Sequence, residues 1–444
     1  MGSGLRGRRK RKEESRAEGF TVSFFTDHKL QIFMSESCNS RHFSWLMKSC
    51  FPNPNHKSLI ITPQLLNPTL TLSSLPDDLL LECLSRVPSS SLPSLSLVCR
   101  RWFYLILSPS FILLRRQLRL SHPSLFALSP SLSSVFSATL SFPSPRPAAT
   151  WDLSLCLPIN TASLHSLPRL VSIGPRIYII GRNSMLRYNA WTHHVTAKSP
   201  MLFPRKKFAA AVVSNKIYVA GGGGSGAASA VEEYDPETDT WRVVAYSQRM
   251  RYGCIGAAVD GVFYVIGGLK IGGASGNGAG GIEAHVYASS MDLFDVEARV
   301  WLRSRAVPGG GCVVAACAVA GYVYVLTSHV VELSFWRFDA RRKCGGDDSN
   351  EGFGEWCKMK SPPMPTQIRL DGTVRFCCVG VGDNKVILVQ VVGCIDDLLR
   401  RSGRSQRGFK DGLVLVYDSG GGEWSRGPDL PEVIRRAACV SVEC

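Results

Sequence analysis

The sequence has no run of about 18 apolar residues, the length a helix needs to cross a bilayer. Its N-terminus opens with charge but no apolar core follows, so it does not read as a signal peptide. Arg6 stands where a myristoylation site needs Ser or Thr. These absences point to an intracellular chain, in the cytoplasm, the nucleus or both. None of the 15 cysteines forms a Cys-x-x-Cys pair, and no His pair completes Cys312 and Cys317 into a zinc set. Most cysteines lie in apolar runs such as VRFCCVGVG and AACVSVEC, where a thiol behaves as a small hydrophobe, so reduced core thiols are expected. The sequence also lacks H-E-x-x-H, G-x-S-x-G and a P-loop lysine. His193 and His194 are its only adjacent histidines, and neighbours on a strand point to opposite faces. No catalysis, cofactor or metal is expected of the chain itself.

Apolar residues make up 45% of the 444, enough for a sizeable core, and charged residues only 19%. The 51 Lys and Arg against 35 Asp and Glu give a net charge of +16, part of it in one block, Arg6 to Arg16. A basic surface favours acidic partners without choosing among nucleic acid, phosphopeptide and acidic peptide. Residues 1–70 lack periodicity and read as a disordered basic extension. Its basic block is a nuclear address, a nucleic-acid contact or simply a solvated tail.

At Leu72 the texture changes. Pro76 precedes Asp77 and Asp78, which place negative charge in a first helical turn. Leu79, Leu80, Cys83, Leu84 and Val87 follow at helical spacing, and Pro88 stops the run. Leu92, Leu95, Val98, Cys99 and Trp102 mark a second stripe, and a third helix is expected over Ser110 to Leu118. Three short helices make a small core with apolar side chains left over for a partner. Leu75-Pro76, Asp77-Asp78, Val98-Cys99-Arg100-Arg101-Trp102 and Ser108-Pro109-Ser110-Phe111 together resemble an F-box, with Val87-Pro88 where Leu-Pro is commoner. The resemblance covers residues 72–118. It implies docking on the Skp-family adaptor of a cullin–RING ubiquitin ligase, through Leu75, Pro76, Leu79, Leu84, Val98, Cys99 and Trp102. Some of these hold the box together and others touch the adaptor. The alternative is a helical hairpin capping the next domain.

From Ser121 onward a pattern recurs. Apolar runs end in glycine or a small residue at RIYIIG, KIYVAGG, VFYVIGG, YVYVLTS and KVILVQ. After a variable insertion, a second run ends in Asp235, Asp295, Asp339 or Asp418, and a tryptophan follows. The Asp-to-Trp spacing is six at Trp241, Trp301 and Trp424, seventeen at Trp356, and Asn189 followed by Trp191 is a weaker version. Glycine pairs allow positive φ and close approach of neighbouring units, Asp closes a turn, and Trp fills the gap between units. The pattern resembles the kelch motif, and with the box upstream the chain resembles plant F-box/kelch-repeat proteins. The resemblance implies an all-β propeller over residues 121–444. Trp151 marks a sixth outer strand, and the terminal RRAACVSVEC supplies an inner strand to complete that blade. Six blades are therefore expected, with five or seven as alternatives.

Gly221, Gly223 and Gly226 also satisfy G-x-G-x-x-G, the dinucleotide fingerprint, as do Gly276, Gly278 and Gly281. The gap to Tyr234 is too short for a crossover helix, and the same fingerprint recurs between the same two strand types. Blade architecture is the better reading. A kelch-type copper oxidase would need an exported chain with a Tyr/His metal set. For recognition, Arg205 and Arg251 each lie thirteen residues before a strand tyrosine, with Arg435 or Arg436 near the equivalent place and Gly311 breaking the series. These arginines are expected at one mouth of the channel, gripping an acidic or phosphorylated substrate segment. The alternative is that they are solubility charges or bonds between blades. Three long insertions are alternative contact loops. The implied function is a substrate receptor of an SCF ubiquitin ligase; the alternative is a kelch scaffold outside a ligase.

Overall fold

The computed structural model describes residues 74–130, 135–142, 150–155, 167–223, 229–270, 285–329, 332–341, 354–364, 374–392, 412–434 and 437–444. The basic extension and most of each long insertion lie outside these residues.

Four helices open the described chain: α1 (Asp77–Ser85), α2 (Leu92–Ser96), α3 (Arg100–Leu107) and α4 (Pro109–Gln117). Pro76 caps α1 with φ −57°, and the two aspartates occupy its first turn as their charge requires. The second apolar stripe is two helices rather than one. The chain turns at Leu97 and extends at Cys99 (φ −158°, ψ 164°) before α3 begins. Ser108 caps α4, its Oγ accepting from the Phe111 N–H at 3.2 Å.

The described residues from Pro123 to Cys444 form six antiparallel sheets arranged as a propeller, five of four strands and one, starting at Ile255–Val259, of five. Blades one to five run in chain order, starting from inner strands Arg169–Ile173, Ala209–Val213, Ile255–Val259, Cys312–Val319 and Val374–Val381. Blade six joins both ends of the domain. Its inner strand, Ala438–Glu443, pairs with Pro123–Pro130, setting Leu125 opposite Ser441 and Ala127 opposite Cys439. The six-bladed ring is thus closed by the terminal strand, which removes two open sheet edges. Each second strand is buried almost throughout, because it is covered by a blade on either side.

The repeat residues do the jobs their chemistry suits. Asp235, Asp295, Asp339 and Asp418 each accept a backbone N–H two or three residues on. Asn189 does the same in blade one, accepting from Trp191 and Thr192. The indole N–H of Trp241, Trp301, Trp424 and Trp151 donates to the carbonyls of Ser199, Tyr246, Lys360 and Pro428 respectively, each in or beside the preceding blade's outer strand. Trp191 departs from this role and lies in a hairpin of blade one. His193 and His194 share that hairpin instead of a strand.

KIYVAGG forms a hairpin arm: Lys216–Ala220 pairs antiparallel with Ala230–Asp235, Tyr218 opposite Glu233. A dinucleotide fold would need parallel strands there. Gly221 and Gly222 take φ of +74° and +72°. A Cβ at Gly221 would come within 2.8 Å of the Arg251 carbonyl, and one at Gly222 within 2.5 Å of the Lys206 carbonyl. The glycine pair exists because two blade connections meet at that point.

Candidate functional site

The helices bury Leu80, Leu84, Leu92, Leu105, Ile106 and Phe111 in one cluster. Leu75 and Trp102 pack against its edge. Of the seven residues expected to carry docking, Leu84, Leu75 and Trp102 therefore hold the box together. The others face outward: Leu79 is 50% and Val98 60% exposed, and Pro76 and Cys99 are exposed beside them. Leu97, which the sequence reading left out, is the barest at 85%. Arg101 draws these residues to one end of the box. Its guanidinium donates to Asp77 Oδ1 at 2.7 Å and to the Leu75 carbonyl, tying the start of α1 to the start of α3.

The opposite side of the box is fused to the propeller. Trp191 is 1% exposed and belongs to the helical cluster, its ring edge-on to Phe111 at 5.4 Å. The Arg115 guanidinium lies 5.6 Å over Trp191 and donates to the carbonyls of Ser85, Val87 and Leu120 and to Ser89 Oγ. Burial lowers the Arg115 pKa, but carbonyl acceptors and aromatic faces keep the cation solvated. Arg176 donates to the Leu107 carbonyl at 2.9 Å, and Phe103 stands edge-on to His194. Arg116 pairs with Glu443 of the closing strand. The helices both cap the propeller and leave Leu79, Leu97 and Val98 exposed.

Arg205 and Arg251 are not at the channel mouth. Both are 1% exposed. Arg205 donates to Glu232 Oε1 through Nε (2.8 Å), to the Gly221 carbonyl (2.8 Å) and to the Ala230 carbonyl (2.8 Å). Arg251 repeats the arrangement one blade on, with Asp292 (2.7 Å), the Gly267 carbonyl (2.9 Å) and Ser290 Oγ (3.0 Å). Each guanidinium pins its blade's glycine turn to the strand that follows. With every donor nitrogen occupied and no exposed surface, neither is placed to grip a substrate, so the expectation is corrected. Arg435 and Arg436 lie outside the described residues.

The channel holds other arginines. A cavity of about 550 Å³ lies among the first residues of the inner strands, lined by Arg169, Arg375, Cys312, Cys377 and Ser328 among others. The helical box sits at the far end of the same strands, against the hairpin at Gly174 and the end of the closing strand. A five-residue strand spans roughly 17 Å, which separates the two features. Among the described residues, no group of three His, Cys, Asp or Glu side chains is arranged to hold a metal ion.

Comparison with known proteins matches residues 72–114 to the F-box domain and residues 204–247 to the Kelch motif. The chain is 63% identical over 422 residues to F-box/kelch-repeat protein At5g26960 of Arabidopsis thaliana, across 92% of this chain and all of that one. The chain belongs to the F-box/kelch-repeat family. F-box protein AFR of the same plant is 33% identical over 187 residues, 39% of this chain and 49% of that protein. A further Arabidopsis F-box/kelch-repeat protein, At1g67480, is 27% identical over 217 residues, 44% of this chain and 54% of that protein. F-box domains generally bind Skp1-like adaptors, and kelch propellers generally bind substrates. Proteins of this family are generally non-catalytic.

Within this F-box/kelch-repeat chain a sequence signal did mark Arg205 and Arg251 as architectural. Each is matched by an acid three residues before its blade's turn aspartate: Glu232 before Asp235, and Asp292 before Asp295. Where Gly311 replaces the arginine, Trp336 replaces the acid. Arginine and acid come and go together, as a bonded pair must.

Proposed function

We propose that this protein is the substrate-recognition subunit of an SCF ubiquitin ligase, its box docking on the Skp-family adaptor and its propeller holding the protein to be ubiquitinated. The observation that carries the reading is the apolar face of Leu79, Leu97 and Val98 beside Pro76 and Cys99. Burying a Leu or Val side chain is worth about 1.5–3 kcal/mol, so a box that leaves three of them bare gains by inserting them into a groove on a helical partner. The chain supplies proximity rather than bond chemistry: it raises the effective concentration of a target lysine near a charged conjugating enzyme.

The test is co-purification of the full chain with a Skp-family adaptor, wild type against Leu79→Asp/Val98→Asp. The wild type brings the adaptor down and the variant does not, while both keep the same melting temperature. A wild-type chain that fails to retain the adaptor refutes the reading and favours a kelch scaffold outside a ligase.

A further inference from the structure

The channel cavity is distinguished by its charge. Arg169 and Arg375 both line it, and among the described residues no Asp or Glu does. The contrast with the other buried arginines of the propeller is direct, since Arg205 and Arg251 each hold a carboxylate at 2.7 Å. Arg169 has only carbonyls, those of Phe208 (2.8 Å) and Cys254 (3.1 Å). The Arg375 guanidinium makes no hydrogen bond or ion pair among the described residues, and it lies near enough for its charge to act on Arg169. Burial pulls the Arg169 pKa below the ordinary arginine value, and the Arg375 charge adds to that shift. Two guanidiniums lining one cavity, with no counter-charge among the described residues, repel each other, and an anion between them would relieve that repulsion.

We propose that this cavity is a binding site for a compact oxyanion, a carboxylate or a phosphate, held between Arg169 and Arg375. Guanidinium forks match both groups bidentately. Ser328 and the thiol of Cys312 add neutral donors to the lining. A volume of about 550 Å³ takes a phosphate or an acidic side chain with its flanking atoms. Arg169 is held in place by carbonyls at the starts of blades two and three, so it is the fixed half of the clamp. Arg375, on the exposed start of its strand, is the adaptable half. The cavity lies at the end of the inner strands away from the helical box, so an occupant does not compete with an adaptor bound there.

The anion has two possible sources, a free small molecule or an acidic residue of a bound protein. The second rests on the substrate-receptor reading above and the first does not. The experiment is calorimetric titration of the full chain at constant ionic strength with inorganic phosphate, with succinate, and with a short peptide carrying consecutive Asp and Glu, its Asn/Gln counterpart serving as control. Wild type is expected to bind at least one of the three anionic probes. Arg375→Glu is expected to weaken that binding by about tenfold or more, and Arg375→Gln by less, with melting temperature and adaptor capture unchanged. An acidic peptide that binds more tightly than succinate and phosphate assigns the site to a protein segment; equal or weaker binding assigns it to a free anion. No heat from any of the three probes, or the same affinity in Arg375→Glu, overturns the proposal. Adaptor capture is read separately, so failure here leaves the ligase reading standing.

Discussion

Replacing Arg205 with Met separates architecture from recognition. The Arg205 and Glu232 side chains are both 0% exposed, their charged atoms 2.7 Å apart. The substitution leaves Glu232 Oε1 without its guanidinium, only the Leu202 N–H remaining on the other oxygen at 2.7 Å. It also strips a donor from the carbonyls of Gly221 and Ala230. Removing one member of a buried ion pair costs about 3–5 kcal/mol. At about 2–4 °C per kcal/mol, the melting temperature should fall by roughly 6–20 °C. The double variant Arg205→Met/Glu232→Leu removes both charges and leaves neutral groups alone without partners, the carbonyls of Gly221 and Ala230 and the Leu202 N–H, so it should recover about 2 kcal/mol in the cycle. The assay is thermal and urea unfolding of the four proteins of that cycle. If Arg205→Met melts within a degree or two of wild type, or if Glu232→Leu gives no rescue, the assignment of Arg205 to the blade framework is wrong.

Two further outcomes follow from the fold. Deleting Ala437 to Cys444 removes the inner strand that pairs with Pro123–Pro130 and exposes an edge, so the domain should fail to fold; a truncated chain that melts like the full one refutes the closure. Acid should act through Glu233 and Asp239. Burial raises both carboxyl pKa values, but bonds from Tyr218, Lys216 and Arg242 to Glu233, and from Tyr234, the Ser199 N–H and Lys198 to Asp239, hold them below the ordinary value. A carboxylate depressed in the fold gives stability that is full above about pH 4 and is lost as pH falls through the lower folded value. Thermal stability should therefore be flat from about pH 7 to 5 and drop below about 4, with a shallower drop in Glu233→Gln; an unchanged acid slope in that variant would count against the assignment.

The propeller was legible because its grammar is local. Each turn aspartate, inter-blade tryptophan and tyrosine-bearing strand sits within one repeat, so order and spacing report it directly. The closure was legible for a different reason: an orphan outer half at Trp151 and an orphan inner strand at the terminus leave only one pairing. The break at Leu97 to Cys99 was not legible, because Leu95, Val98 and Trp102 keep helical spacing across a turn. Trp191 was misread for the same reason. Following Asn189, it looked like a degenerate blade tryptophan, and only the three-dimensional contact with Phe111 and Arg115 shows that it belongs to the helices. Arg169 and Arg375 carry no local signature. They meet because blades one and five face one channel, more than two hundred residues apart in the chain.

Long-range contacts also fix where the two proposed surfaces lie relative to one another. Between the end of α4 at Gln117 and the first propeller strand at Pro123 there is no slack. Leu120 N–H bonds the Arg115 carbonyl, and His122 exchanges backbone bonds with Cys444 at 2.7 and 2.9 Å. With Trp191 inside the helical cluster and under the Arg115 guanidinium, turning the box on the propeller would empty a buried aromatic site and take the ring away from that cation. Emptying the aromatic site alone costs about 3–5 kcal/mol. A proximity mechanism depends on how far, and in what direction, a bound substrate is held from the adaptor. For a chain acting as the proposed receptor, that vector would be built into packed side chains: Leu79, Leu97 and Val98 belong to the box at one end of the inner strands, and the arginine-lined cavity lies at the other.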